Sequence, residues 1–598
     1  MGDAKIVCTL GPASASRETI RDLADAGMAV ARINASHGTS EERAALLDRV
    51  REVDRESDAP LASMIDLQGP EIRTAPLDDA VHLDEGSEVR FVEGEAASAE
   101  RVGLSASLAD ADPGDRVLID DGRIEATVER VEDGAVVARV DSGGALGSRK
   151  GVNVPGLDLD LPPVTERDRT DVELAVERGA DFVAASFVRT AEDVLAVAGV
   201  VEDLGGDVPV VAKLERSGAV EHLDGIVEAA YGVMVARGDL GVEYPMEEVP
   251  LIQKRIVRRC RETGTPVIVA TEMLDSMVHA RRPTRAEASD VANAVLDGTD
   301  AVMLSAETAV GDHPVRVVET MARIVAEVEA SGEYADLREG RVPRAGATSA
   351  DSLARAARFL ARDVGASAVV AASESGYTAL KTAKYRPQVP VVAATPSERV
   401  RRRLALSWGI HPVRVDHVAD AEAVIRRAVD AALGAGVAES GDTVVVLSGM
   451  MTGVEGADTT NMLKVHVAAE TLATGRGAVS GRVVGPVAYT DGDLRDVPEG
   501  AVVVLPEEFD DAFDGDPKRI GAIVAARRGM TGYPAIVARE LGVPMISGAA
   551  LDRRVVPAGT TVTVDAERGV VYEGDVMTRE RDAEERDATG RGAGERGS

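Results

Sequence analysis

The chain has 598 residues, with 102 acidic side chains against 67 basic ones, for a formal net charge of −35. At roughly 100–200 residues per domain this length allows several domains, and 45% apolar with 28% charged residues suits globular domains that bury real cores. So negative a surface repels nucleic-acid phosphate and anionic membranes, which excludes both as general partners.

Other features narrow the class. No run of 18 apolar residues occurs, so no transmembrane helix is expected. The start, Met1-Gly2-Asp3-Ala4-Lys5, passes straight into a strand-like segment without a basic region and an apolar stretch, so no signal peptide is expected. Two cysteines, Cys8 and Cys260, make no disulfide framework and fit a reducing cytoplasm. Only eight of the basic residues are lysine. Excess carboxylate with few lysines is open to two readings: general solubility, or adaptation to high salt, which screens the self-repulsion.

In chain order, short apolar runs alternate with amphipathic helical stretches. The runs are Lys5–Thr9, Val30–Asn34, Ala62–Asp66, Phe182–Ser186, Val210–Lys213, Gly232–Ala236, Val267–Ala270 and Ala301–Leu304. Helical stretches such as Arg17–Ala26 and Arg43–Glu52 bracket them. Eight β/α units are the number a closed (β/α)8 TIM barrel requires. Between the third and fourth runs, from Pro70 to Val154, short β-type segments replace this rhythm, among them Val89–Val92, Arg116–Ile119 and Ala135–Ala138. That stretch reads as a small inserted β domain, a lid on the catalytic face of the barrel. A polar stretch at Ala330–Thr348 reads as a linker. A second α/β pattern follows, with helices at Ser352–Asp363 and Ala421–Leu433 and strands at Ala368–Ala372, Val391–Ala394 and Thr443–Leu447. We expect the barrel at 1–69 and 155–345, the lid at 70–154, an α/β regulatory domain at 346–467 and an extra C-terminal swivelling-type domain at 470–577. The tail, 578–598, is charged and Gly-rich and is expected to be disordered.

Barrel enzymes carry their chemistry at the C-terminal ends of the strands. Those ends read Arg32-Ile33-Asn34-Ala35-Ser36-His37, Asp66-Leu67, Lys213-Leu214-Glu215, Arg237-Gly238-Asp239, Thr271-Glu272 and Ser305-Ala306-Glu307. Glu215 and Asp239 offer hard carboxylate oxygens suited to Mg²⁺. Arg32 and Arg73 can grip phosphate bidentately. Lys213 is a point charge able to stabilise a transferring phosphoryl group. Gly238 lets backbone N–H groups approach an anion. Two structural readings stay open beside these: Lys213–Glu215 as a plain ion pair, and Asp239 as a helix cap.

These residues sit in longer blocks: Lys5-Ile6-Val7-Cys8-Thr9-Leu10-Gly11-Pro12-Ala13, Gly69-Pro70-Glu71-Ile72-Arg73-Thr74, Lys150-Gly151-Val152-Asn153-Val154-Pro155-Gly156, Met234-Val235-Ala236-Arg237-Gly238-Asp239-Leu240-Gly241 and Ser289-Asp290-Val291-Ala292-Asn293-Ala294-Val295. With these blocks in this order, the chain resembles the pyruvate kinase family over residues 4–467. The resemblance implies phosphoryl transfer from phosphoenolpyruvate to ADP, giving pyruvate and ATP. It implies Mg²⁺ on Glu215 and Asp239, and substrate held by Arg32, Lys213, Gly238, Asp239 and Thr271. It implies nucleotide contacts from Arg73, His37, Lys150 and Asn34, and proton delivery to the enolate near Thr271 and Ser305. It further implies K⁺ on Asn34, Ser36, Asp66 and Leu67. Leu67 departs from the family's frequent Thr and offers only its carbonyl. Glu71 stands where potassium-independent relatives tend to carry Lys, which argues for potassium dependence. A homotetramer is implied as well.

Ser373-Glu374-Ser375-Gly376-Tyr377-Thr378 resembles the family's loop for a phosphorylated effector, with Ser373, Ser375 and Thr378 as its hydroxyls. A plain helix cap and turn is the other reading. Farther on, Gly529–Pro544 resembles the swivelling phosphohistidine module of phosphoenolpyruvate-utilising enzymes. Tyr533 stands at the His position and no His follows His466. This module therefore cannot carry phosphohistidine, which argues against a dikinase-type shuttle. Two further classes remain to be weighed against a kinase: a catalytically idle barrel that senses a metabolite, and a lyase acting on a Mg²⁺-bound enolate.

Overall fold

The computed structural model describes residues 2–120, 122–157, 161–418, 420–449, 460–509 and 511–577. The chain divides into two compact units. The first holds Met1–Phe359, Ala371–Val424 and Leu447–Met462. The second holds Leu360–Val370, Ile425–Val446 and the chain from Leu463 onward. The tail expected to be disordered, 578–598, lies outside the described residues.

Eight parallel strands close the first unit's barrel: β1 Lys5–Leu10, β2 Met28–Asn34, β3 Ala62–Asp66, β4 Phe182–Ala185, β5 Val210–Leu214, β6 Gly232–Ala236, β7 Val267–Ala270 and β8 Ala301–Leu304. Each pairs with its successor, and β8 closes on β1 with Lys5 opposite Ala301. Period-two alternation explains why these runs are apolar throughout. Val7, Met64, Val211 and Met234 fill the barrel interior, while Ile6, Ile65, Val210 and Val233 face the surrounding helices. Helix starts follow local capping chemistry. Ser16 accepts from the Thr19 N–H, and Thr39 with Glu42 forms a reciprocal capping box. No helix among the described residues is long and apolar enough to cross a membrane.

Between β3 and β4 the chain builds a seven-stranded sheet. Its order is Ile72–Arg73, Gly151–Asn153, Arg116–Ile119, Ile124–Glu132, Ala135–Ser142, Glu88–Glu93 and Arg101–Leu104. A bridge from Thr74 to Leu104 brings its two edges together, so it is a nearly closed barrel around Ile72, Val89, Phe91, Val117 and Val136.

The stretch expected as a linker is not all linker. Gly332–Gly340 is a helix whose Ser331 cap accepts from the Tyr334 N–H. Tyr334 is buried, and its hydroxyl accepts from Trp408 Nε1 at 2.9 Å. Apolar burial plus a distant hydrogen bond hold a segment whose composition reads as loop. Trp408 is thereby a packing residue of the barrel's outer core, with Arg386 stacked 4.8 Å over its ring. Beyond it, Val391–Thr395 and Ile410–Arg414 pair in parallel, as the second α/β pattern requires.

The second unit carries an eight-stranded sheet. Arg482–Tyr489, Ala501–Leu505, Ile520–Ala525 and Met545–Ser547 run parallel at its centre, and Thr561–Asp565 joins antiparallel. The helix Tyr533–Leu541 packs Ala535 and Ala538 into one face of that sheet.

Candidate active site

The C-terminal mouth of the barrel gathers one charged cluster. Arg32, on β2, places its Nε 2.6 Å from Asp66 Oδ2 and its Nη1 2.8 Å from Thr9 Oγ1. Asp66 ends β3 and is fully buried. Lys213, on β5, reaches Asp66 Oδ1 at 3.2 Å, Glu215 Oε1 at 2.8 Å and Ser186 Oγ at 2.8 Å. Three strands, β2, β3 and β5, thus place Arg–Asp–Lys–Glu in one connected array. Burial alone would push the Asp66 carboxyl up. Arg32 and Lys213 outweigh it and hold the group below the ordinary carboxylate range. Burial would likewise lower Lys213, but Asp66 and Glu215 hold it above the usual lysine range, so the ammonium stays charged.

Glu215 is 3% exposed. Its Oε2 accepts from the Phe187 N–H at 2.6 Å, and this residue follows β4 with φ +56°. Asp239 lies in the first turn of the short helix Arg237–Glu243 that leaves β6. The two carboxylates supply hard oxygens with lone pairs to spare, a donor set that fits Mg²⁺. Among the described residues no group of three or more His, Cys, Asp or Glu side chains could hold a metal ion. A cation here would therefore complete its shell with water and substrate oxygen.

Thr271, just past β7, has φ +75°, and Glu272 follows at +53°. A β-branched residue in that region costs on the order of 1–3 kcal/mol, so its surroundings must impose it. Arg237 does this: Nη2 donates to the Thr271 carbonyl at 2.7 Å and Nε to the Ala270 carbonyl at 3.1 Å. Asp290 anchors the same guanidinium at 2.6 Å. A Cβ on Gly238 would stand 2.7 Å from Thr271 Cγ2, so only glycine lets the helix start and the threonine approach. Ser305, past β8, donates its N–H to Glu307 Oε2 at 2.6 Å, and burial raises the Glu307 carboxyl.

The residues assigned to potassium also come together. Asn34 and Asp66 are register partners on β2 and β3. Asn34 Oδ1 accepts from the Ser36 N–H at 3.1 Å, and the Leu67 carbonyl accepts from Ser186 Oγ at 2.7 Å. The set is all oxygen, which fits a hard monovalent cation. The nucleotide candidates are more dispersed. Arg73 is in the lid and pairs with Glu71 at 2.5 Å, and Lys150 pairs with Asp120 of the lid at 2.7 Å. His37 is exposed, and its carbonyl accepts from Arg43 Nη1 at 3.1 Å. A cleft between lid and rim is lined by Glu71, Leu118, Asn153, Phe187 and Asp239.

Ser373, Ser375 and Thr378 lie apart from this mouth, at the start of the helix Tyr377–Lys384. Gly376 has φ +86°, Ser375 Oγ accepts from the Tyr377 N–H at 3.3 Å, and Ser373 Oγ accepts from the Thr378 N–H at 3.4 Å. Cys8 and Cys260 are buried, and burial raises both thiols, which makes them poor nucleophiles. Sequence reading gave no role to Ser186, Phe187, Arg237 or Thr9. Ser186 ends the fourth apolar run and Phe187 follows it, and reading that strand end like the others was the available signal.

Comparison with known proteins decides the family. The pyruvate kinase barrel-domain family matches residues 1–318, and the pyruvate kinase alpha/beta-domain family matches 351–466. The mobile domain of PEP-utilising enzymes matches 497–569. A pyruvate kinase of Geobacillus stearothermophilus is 41% identical over 582 residues, covering 95% of this chain and 98% of that one. Those of Staphylococcus aureus (strain MRSA252) and Sporosarcina psychrophila are 38% and 39% identical, each covering 96% of this chain and 99% of their own. The chain belongs to the pyruvate kinase family. It is accordingly an enzyme, a glycolytic phosphotransferase. Alignments this long include the C-terminal module, so these pyruvate kinases carry a counterpart of it.

Proposed function

We propose that the rim of this barrel transfers the phosphoryl group of phosphoenolpyruvate to ADP, with named residues in named roles. The observation that carries the assignment is the array Arg32–Asp66–Lys213–Glu215, in which a part-buried ammonium is kept charged between two buried carboxylates. Lys213 stabilises the transferring phosphoryl group, whose charge is spread over its equatorial oxygens. Arg32, oriented by Asp66 and Thr9, grips the substrate phosphate. Gly238, Asp239 and Thr271 seat the substrate against the short helix. Arg73, Lys150, His37 and Asn34 receive the diphosphate, with Lys150 exchanging Asp120 for phosphate as the lid closes. Thr271 and Ser305 line the side from which the enolate takes its proton.

Glu215 and Asp239 are the residues that would hold Mg²⁺, which when bound neutralises phosphate and carboxylate charge. Asn34, Ser36, Asp66 and the Leu67 carbonyl would hold K⁺, and Glu71 supplies no ammonium in its place. We further assign the barrel to 1–69 and 155–345, the lid to 70–154, the α/β domain to 346–467 and the extra domain to 470–577. A homotetramer, a cytoplasmic location and a phosphorylated effector at Ser373, Ser375 and Thr378 complete the proposal.

Pyruvate formation from phosphoenolpyruvate, with and without ADP, tests it. ADP-dependent pyruvate is expected; no pyruvate in either arm would favour the sensor or the lyase reading. Lys213→Met should cut turnover by at least about 10³-fold while leaving phosphoenolpyruvate binding within a few-fold by calorimetry. Retained turnover in that variant would remove Lys213 from its role.

A further inference from the structure

The lid is joined to the barrel by two strands of chain. One leaves after β3 through Leu67-Gln68-Gly69, and the other returns through Thr165 into the helix Glu166–Glu177. Asp168, three residues into that helix and 1% exposed, touches both. Its Oδ1 accepts from the Gly69 N–H at 3.0 Å, 99 residues away along the chain. Its Oδ2 accepts from the Thr165 N–H at 3.0 Å and from Thr165 Oγ1 at 2.6 Å. The Thr165–Asp168 half of this is an ordinary capping box, repeated at Thr39–Glu42 and Thr284–Glu287. The Gly69 bond is no part of a capping box.

Gly69 is itself fixed. Its φ is +73°, and a Cβ there would stand 2.8 Å from Ser186 Cβ and 3.0 Å from the Ser186 carbonyl. Ser186 is the residue that accepts from Lys213 Nζ and donates to the Leu67 carbonyl. The same helix reaches the loop after β2. Arg167 Nη2 donates to the Ala35 carbonyl at 2.8 Å. Asp171 Oδ1 accepts from Arg43 Nη2 at 2.6 Å, and Arg43 Nη1 holds the His37 and Gly38 carbonyls at 3.1 and 3.2 Å.

We propose that Asp168 is a positioning residue of this reaction: its buried carboxylate clasps the outgoing and returning hinge strands of the lid and so sets where Arg73 and Lys150 meet the rim. This rests on the assignment of those two residues to ADP. Asp168 touches no substrate and acts through Gly69 and Thr165. Losing it frees the hinge on the side that seats Ser186 and Lys213. The lid side chains then reach the nucleotide less often, so ADP affinity falls more than phosphoenolpyruvate affinity. Loss of a cap alone would cost stability and leave the ratio of the two KM values unchanged.

The test uses the full chain with two readouts. Steady-state kinetics on Asp168→Ala should show KM for ADP raised about tenfold, KM for phosphoenolpyruvate changed less than about threefold, and kcat lowered. Asp168→Asn keeps the shape and an acceptor oxygen, folds for that reason, and should fall between the two. Separately, spin labels at Ser98→Cys in the lid and Glu228→Cys on the barrel report the lid position without substrate; the native thiols are buried and do not label. The distance distribution should broaden in both Asp168 variants. An unchanged distribution overturns the clasp. A broadened distribution with unaltered KM for ADP supports the clasp and overturns the nucleotide assignment of the lid residues instead.

Discussion

At the scale of single residues, the site depends on close approach more than on charge alone. Thr271 is held in a left-handed conformation by Arg237, and Gly238 is the only residue type that fits against its methyl group. Adding one methyl at Gly238 must push either Thr271 or the helix that carries Asp239. Displacements of about 1 Å at a reacting centre cost on the order of 10²-fold in rate. Gly238→Ala should therefore lose about 10²-fold in kcat/KM while its melting temperature stays within a few degrees of the parent, because the strain is local. Kinetics and thermal unfolding on the same preparation check this, and an active alanine variant would show that the helix start yields freely. The charged members of the site were legible because Lys213, Glu215 and Asp239 stand at strand ends in a recognisable order. Ser186 was passed over although it ends an apolar run, because a lone serine at a strand end does not show which side chain it will meet until the fold sets it under Lys213.

Elements follow the same division. The strands Ala62–Asp66 and Gly232–Ala236 were readable because both sheet faces are buried and the apolar runs end where the polar rim begins. The helix Gly332–Gly340 was not, since its hold on the fold is Tyr334 meeting Trp408, 74 residues on. The helix Glu398–Arg403 is a similar case. Its hold on the fold is also distant in sequence: Arg402 Nε reaches Asp181 Oδ1 at 2.8 Å and Arg401 Nη2 reaches Asp54 Oδ1 at 3.0 Å. Asp181 is fully buried and also accepts from the Ser63 N–H at 2.9 Å and Ser63 Oγ at 3.1 Å. Removing one partner of such a pair strands the other in a low-dielectric setting, which costs about 3–5 kcal/mol. Asp181→Ala should lower the stability of the first unit by that amount in denaturant unfolding. The double variant Asp181→Ala with Arg402→Met should recover part of the loss, because the guanidinium closest to the missing carboxylate goes with it, while Arg51 keeps Asp54 as its other partner. A double variant no more stable than the single one would mean that the Ser63 bonds, and not the charge pair, carry the energy.

For the molecule as a whole, the net charge of −35 has to be reconciled with phosphate substrates. The rim answers locally, since Arg32 and the part-buried Lys213 lie against the buried Asp66 and Glu215 and respond to those partners before they respond to the surface. On the proposed function, potassium would then have two separable tasks. As a screening ion it reduces repulsion among the surplus carboxylates, and any salt of equal ionic strength does the same. In the site we propose on Asn34, Ser36, Asp66 and the Leu67 carbonyl, the ion would have to be of the right size, and a bulky organic cation could not replace it. The two tasks predict different responses in one titration. In dilute buffer the melting temperature should be depressed, and potassium chloride and tetramethylammonium chloride at matched ionic strength should raise it equally. Activity should return only with potassium. Full activity in tetramethylammonium would remove the potassium site from the proposal, whereas a melting temperature indifferent to both salts would leave the acidic surface as simple solubility, with no adaptation to salt.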